Sequence, residues 1–264
     1  MMELTVPAGS IAGMVFSLFV AIGVPIALCI LIRKKLKADI APFFFGAGVF
    51  FVFAMFLEQL LHMAVLLKPG AVSEALKQNI WLYAVYGGLA AGIFEETGRF
   101  LCMKFLMKRN LTRENALMYG AGHGGFEAML LLGVASVNNL VNSLFLNSGA
   151  FAEALSADVD LEMALEAVSP LATIPSWQFF LGGAERLMAI ALQIALSLLV
   201  FQAVKERRSR YLYLVAVFIH AAVNTLVVVI ANHGSLLFAE LVTLVGTLLA
   251  CILAWRTAWK CQRQ

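Results

Sequence analysis

Residues 9–39 read GSIAGMVFSLFVAIGVPIALCILIRKKLKAD. The first 24 of these carry no charge, and four of the next five are cations, Arg33, Lys34, Lys35 and Lys37. A helix of that apolar length is about 36 Å long, enough to cross a hydrocarbon layer of about 30 Å. The order of the two parts is the reverse of a secretory leader, whose basic residues come first. Residues 1–10 hold Glu3 and no Lys or Arg. The stretch therefore predicts a membrane-spanning helix with its N-terminus outside and its basic end inside.

The rest of the chain repeats the pattern. Of its 264 residues 62% are hydrophobic and 13% charged, against about 45–50% and about 25% in a soluble domain. Apolar runs at 9–32, 43–67, 80–103, 114–135, 178–203, 211–231 and 235–255 predict an all-α polytopic membrane protein of about seven spans. Cations collect in RKKLKAD (33–39), at Lys104, Lys108, Arg109 and Arg113, in KERRSR (205–210), and at Arg256, Lys260 and Arg263. With alternating spans these segments share one side. The opposite side receives the long connection 136–177, with Glu153, Asp158, Asp160, Glu162 and Glu166 and no Lys or Arg. The expectation is N-outside, C-inside, in a single transmembrane domain over 1–264. Within the connection, FAEALSADVDLEMALEAV (151–168) suits either an amphipathic helix on the outer face or a solvated acidic linker. Trp81, Trp177, Trp255 and Trp259 stand at run ends, as an interfacial belt would. Cys29, Cys102, Cys251 and Cys261 form no CxxC pair and read as small apolar residues. No basic stripe or phosphate-binding loop supports nucleic-acid binding.

Ionisable groups inside spans cost at least about 2.5–3.5 kcal/mol each at mid-depth and mark functional sites. Span three contains GIFEETGRF (92–100), with Glu95, Glu96 and Arg99. Span four has Tyr119, His123 and Glu127, and span six has His220 and Asn224. Glu95 lies nine residues before Lys104, His123 nine after Glu114, and His220 nine after Tyr211. Each is then about 13–14 Å from the basic side. Glu58 and His62 in span two, and Glu185 and Arg186 in span five, fall nearer the outer boundary and read as peripheral contacts. Gly87, Gly88, Gly92, Gly98, Gly120, Gly122, Gly124 and Gly125 surround the polar residues. Small residues let helices approach closely, or leave room for water and substrate.

A Glu beside a bound water can take its proton while imidazole and amide donors stabilise an oxyanion, the parts of a peptide-bond hydrolase. Glu95, His123 and His220 are also of the donor types that hold zinc. The residue types alone leave zinc and no metal equally open.

Glu95-Glu96-Thr97-Gly98-Arg99, Tyr119 four before His123, and His220 four before Asn224 together resemble the three-motif signature of the CAAX-processing and bacteriocin-processing intramembrane proteases. The closest resemblance is to the YhfC branch, over about residues 80–231. It implies a membrane endopeptidase in a prokaryotic cytoplasmic membrane, acting on a peptide or membrane-protein substrate. Glu95 or Glu96 would activate water beside His123, with His220 and Asn224 forming the oxyanion site. Such proteins are described both as metalloproteases and as metal-independent glutamate proteases, and some as scaffold or immunity proteins. The wider family places three residues between the second Glu and the Arg. Here there are two, which turns Arg99 by about 100° on the helix. A proton- or ion-coupled transporter using the same groups is the reading from another functional class.

Overall fold

The computed structural model describes residues 4–156 and 158–260. Glu3, Cys261 and Arg263 lie outside the described residues, as does the side chain of Trp259. The described residues are helical, with helices α1 (Ala8–Leu36), α2 (Ala41–Leu67), α3 (Ala71–Gln78), α4 (Ile80–Leu101), α5 (Arg113–Ser148), α6 (Leu161–Val168), α7 (Ser176–Lys205), α8 (Tyr211–Asn232) and α9 (Leu236–Trp255).

Six of them, α1, α2, α5, α7, α8 and α9, are long and apolar enough to cross a membrane. The remaining run of the seven expected, 80–103, forms helix α4, 22 residues long, which falls short of the other six in apolarity because it carries Glu95, Glu96 and Arg99. Large apolar side chains face outward, among them Phe44, Phe51, Leu144, Leu214, Phe218 and Leu249. In water that surface would drive association, and in a bilayer it is the natural contact with lipid. The chain is an all-α integral membrane protein.

The helix ends follow local chemistry. Asn79 caps α4, its side chain accepting from the backbone N–H of Trp81 at 2.9 Å and Leu82 at 3.2 Å. Asp160 caps α6 through Met163 N–H at 2.9 Å. At the end of α5, Gly149 adopts φ +74°, a left-handed turn that suits glycine. The run predicted to stop at 135 thus continues to Ser148, and Asn138 and Asn139 lie within the helix.

The chain divides into two compact units. One comprises Met1–Val24 and Ala128–Leu187. Its core gathers Val6, Met14, Leu146, Phe151 and Leu171, with Leu161, Ala164, Leu165 and Val168 of α6 packed against it. The α6 helix therefore buries its apolar stripe in protein, while Glu162 and Glu166 stay exposed. Asn147 clamps the N-terminal strand of chain here, accepting from Val6 N–H at 2.7 Å and donating to Val6 C=O at 3.1 Å.

The other unit comprises Pro25–Glu127 and Met188–Gln264. Its centre is the second half of α7, where Leu196, Leu199, Val200 and Phe201 are fully buried against residues such as Met103, Leu212, Ala216 and Ala250. A helix apolar all round suits such a position. Glycines set the helix spacing. A methyl at Gly88 would meet Ala221 C=O of α8 at 2.5 Å, and one at Gly92 would meet Val217 C=O at 2.8 Å. Gly120 takes the backbone of α7 at Ile194, Gly124 takes the Gln193 side chain of the same helix, and Gly122 takes the Phe43 carbonyl of α2. Most of the space the glycines leave is filled by neighbouring helices. Where apolar surface gains little by leaving lipid, such close approach is a main source of helix association.

Candidate active site

The glycine contacts bring α4, α5, α7 and α8 together in this second unit, and their polar side chains meet. Glu95, Glu96 and Arg99 come from α4, His123 and Glu127 from α5, and His220 from α8. Glu96, Arg99 and His123 are fully buried, His220 is 3% exposed and Glu95 6%. The sequence order of motifs is thus converted into one connected network.

Two branches can be followed. In the first, Arg99 Nη1 donates to both oxygens of Glu96, at 3.0 and 2.9 Å. His220 Nδ1 donates to Glu96 Oε1 at 2.9 Å. Glu96 is therefore surrounded by donors, and it orients the His220 ring. Arg99 pairs with Glu96 at i+3. In the second branch, His123 Nε2 donates to Glu95 Oε2 at 2.8 Å. His220 Nε2 lies 3.8 Å from the other oxygen, Glu95 Oε1. With Nδ1 directed to Glu96 and Nε2 toward Glu95, the His220 ring stands between the two carboxylates.

Aromatic rings wall the site. Phe50 meets the His123 ring edge-on at 5.4 Å, and the Tyr119 ring lies 6.0 Å from it. The Tyr119 hydroxyl and His123 Nδ1 are buried without a hydrogen-bond partner. Phe50 opens a π-helical stretch, Phe50–Glu58, a backbone form concentrated at functional positions. Asn224 is half-buried one turn beyond His220, and no hydrogen bond places it in the network.

Two residues sit differently from the sequence reading. Glu58 is buried, at 7% exposure, and is not a rim contact. His62 connects it to α4, with Nε2 3.2 Å from Glu58 Oε1 and Nδ1 2.9 Å from the Tyr86 hydroxyl. The second is Gln193 of α7, which sequence reasoning missed. It is 4% exposed. Its Nε2 donates to Glu95 Oε2 at 3.0 Å and to Glu127 Oε2 at 2.9 Å, and its Oε1 accepts from Arg99 Nη2. The only available signal was an uncharged amide inside an apolar run. Glu185 and Arg186 pair with each other in the other unit.

Zinc binds three or four N, O or S donors converging at about 2.0–2.3 Å. Glu95, His123 and His220 have suitable donor types. As arranged, though, His123 Nε2 and His220 Nδ1 are directed to carboxylate oxygens. Among the described residues no three His, Cys, Asp or Glu side chains form a metal-holding group. As arranged these side chains bond to one another, and no chemical step below runs through a metal.

Fold and site together define a polytopic membrane protein with a buried carboxylate–imidazole network contributed by separate helices. Residues 18–246 match the family described as YhfC intramembrane metalloprotease, and the chain belongs to that family. It is 42% identical over 234 residues to a protein of Bacillus subtilis (strain 168) described as "Uncharacterized membrane protein YhfC", covering 88% of this chain and 89% of the relative. No solved structure matches the chain. The family description indicates a membrane-embedded protease, and the bacterial relative agrees with residence in a bacterial membrane.

Proposed function

We propose that the protein is an intramembrane endopeptidase in which Glu95 activates water for attack on a peptide bond. The observation that carries this reading is the asymmetry of the Glu95 carboxylate. Oε2 is held by His123 and Gln193, while Oε1 faces Nε2 of His220 at 3.8 Å. A water bonded to both Oε1 and Nε2 can lose its proton to the carboxylate as it attacks. The water's oxygen then bonds to the carbonyl carbon, and the proton passes from Glu95 to the leaving amine. The peptide ends as a carboxylic acid and an amine, so no further reactant is consumed.

In this reading Glu96 and Arg99 are anchors. Glu96 fixes His220 in the tautomer that leaves Nε2 available, and Arg99 neutralises Glu96. Asn224, one helical turn from His220, supplies an amide N–H to the developing oxyanion. Backbone amides of the substrate would reach the site from the lipid or from the basic side of the membrane. That approach makes a membrane-protein or lipid-proximal peptide the expected substrate class.

The experiment uses the full chain in proteoliposomes with a library of fluorogenic peptides and transmembrane reporters. Wild type is expected to cleave at least one reporter. Glu95→Ala and His220→Ala are expected to insert normally and cleave none. Because the donors are directed to one another, cleavage is expected to survive chelation. Solute-coupled proton uptake without any cleavage would replace the peptidase reading with a transporter.

A further inference from the structure

Gln193 belongs to none of the three motifs, and it comes from a helix, α7, that carries none of them. Its side chain nevertheless touches two of their charged groups, Glu95 and Arg99, and also Glu127, one turn beyond His123. One oxygen and two N–H bonds are all that a primary amide offers in its plane, and Gln193 uses each once. The orientation is forced. Rotating the amide by half a turn would set its NH2 against the Arg99 guanidinium, and its oxygen against two carboxylates. No other side chain repeats the set. A Glu has no donor for Glu95 or Glu127, a Met makes none of the bonds, and an Asn is shorter by one carbon–carbon bond, about 1.5 Å.

Resting on the peptidase reading, we propose that Gln193 is the positioning residue of the Glu95 base and couples Glu127 to it. The amide and His123 together hold Glu95 Oε2, so the carboxylate cannot turn its other oxygen away from His220. The same NH2 stands between Glu95 and Glu127 and links two carboxylates that would otherwise repel. Its carbonyl steadies Arg99, and through Arg99 the Glu96 anchor of His220. One neutral side chain thus registers the base on α4 and, indirectly, the imidazole on α8.

The test uses the full chain with the fluorogenic reporter that wild type cleaves, and the variants Gln193→Met and Gln193→Glu. Gln193→Met keeps the volume and removes all three bonds. Gln193→Glu keeps the shape and the acceptor for Arg99 but removes both donors. Activity is expressed per folded molecule, counted by the monodisperse fraction on size exclusion. A base displaced by about 1 Å loses on the order of 100-fold in rate. The expected result is a kcat about 100-fold lower in both variants with KM within a few-fold of wild type. Infrared difference spectra against Glu95→Gln should show the Glu95 carboxylate stretch displaced in both. A packing role alone would lower the folded fraction and leave kcat per folded molecule and the carboxylate band unchanged, which would overturn the proposal. If Gln193→Met does not fold, Gln193→Glu decides by the same readouts. Wild type that cleaves no reporter overturns the peptidase reading itself. An active wild type with full kcat in the variants overturns the role of Gln193 alone.

Discussion

The two adjacent glutamates differ because successive helical side chains point about 100° apart. Glu96 turns into protein and meets Arg99 and His220, while Glu95 turns toward His123, Gln193 and the slightly open side. Their substitution phenotypes should therefore separate. Glu96→Ala leaves the buried Arg99 guanidinium without its carboxylate, a loss of about 3–5 kcal/mol for a broken buried pair. The expected outcome is a much lower melting temperature and a smaller folded fraction in detergent. Glu95→Gln replaces the carboxylate by an amide of the same shape and should leave melting within a few degrees of wild type. Equal destabilisation by both would contradict the division of roles. The acid pair and the two histidines of the network were legible in the sequence because charge and polarity stand out in an apolar span. Gln193 was not, because a neutral amide gives no charge signal and its three partners lie on two other helices.

At the level of elements, glycine contacts decide which helices meet. Gly122 receives the carbonyl of Phe43, and Gly46 on α2 receives the backbone of α5 at Tyr119 and His123. Both obstacles are backbone, which cannot rotate aside. Gly122→Ala is expected to destabilise the protein by about 1–3 kcal/mol or more, as overpacking does, read as a lower thermal midpoint. By contrast, Gly87→Ala meets nothing within 4 Å and should leave the midpoint unchanged. A Gly122→Ala variant as stable as wild type would show that α2 and α5 do not approach as described. Helix positions were readable from apolar runs, yet some ends and buried faces were not. Ser136, Asn138 and Asn139 suggested a loop, but α5 continues through them because its end is set at Gly149. Glu58 was read as a peripheral contact from its position along the span, but position along a helix does not say which face neighbouring helices cover, and the structure buries it.

For the whole molecule, the distribution of cations predicts its orientation. Lys35→Cys in a chain lacking its native cysteines should resist an impermeant thiol reagent in intact cells, and Asp158→Cys should react. The reverse pattern would turn the protein over and move the site to the other half of the membrane. The fold class was legible from composition because a bilayer demands long apolar helices. The meeting of α4, α5, α7 and α8 was foreshadowed only by equal depth and by glycines, since composition carries no contact information. The central claim is that this buried network exists to let Glu95 take a proton from water. The most direct measurement is the single-turnover cleavage rate of Glu95→Gln in proteoliposomes, beside wild type at equal folded protein. The account predicts a rate lower by about 10²–10⁴, the range of a positioned general base. A rate within a few-fold of wild type would contradict it.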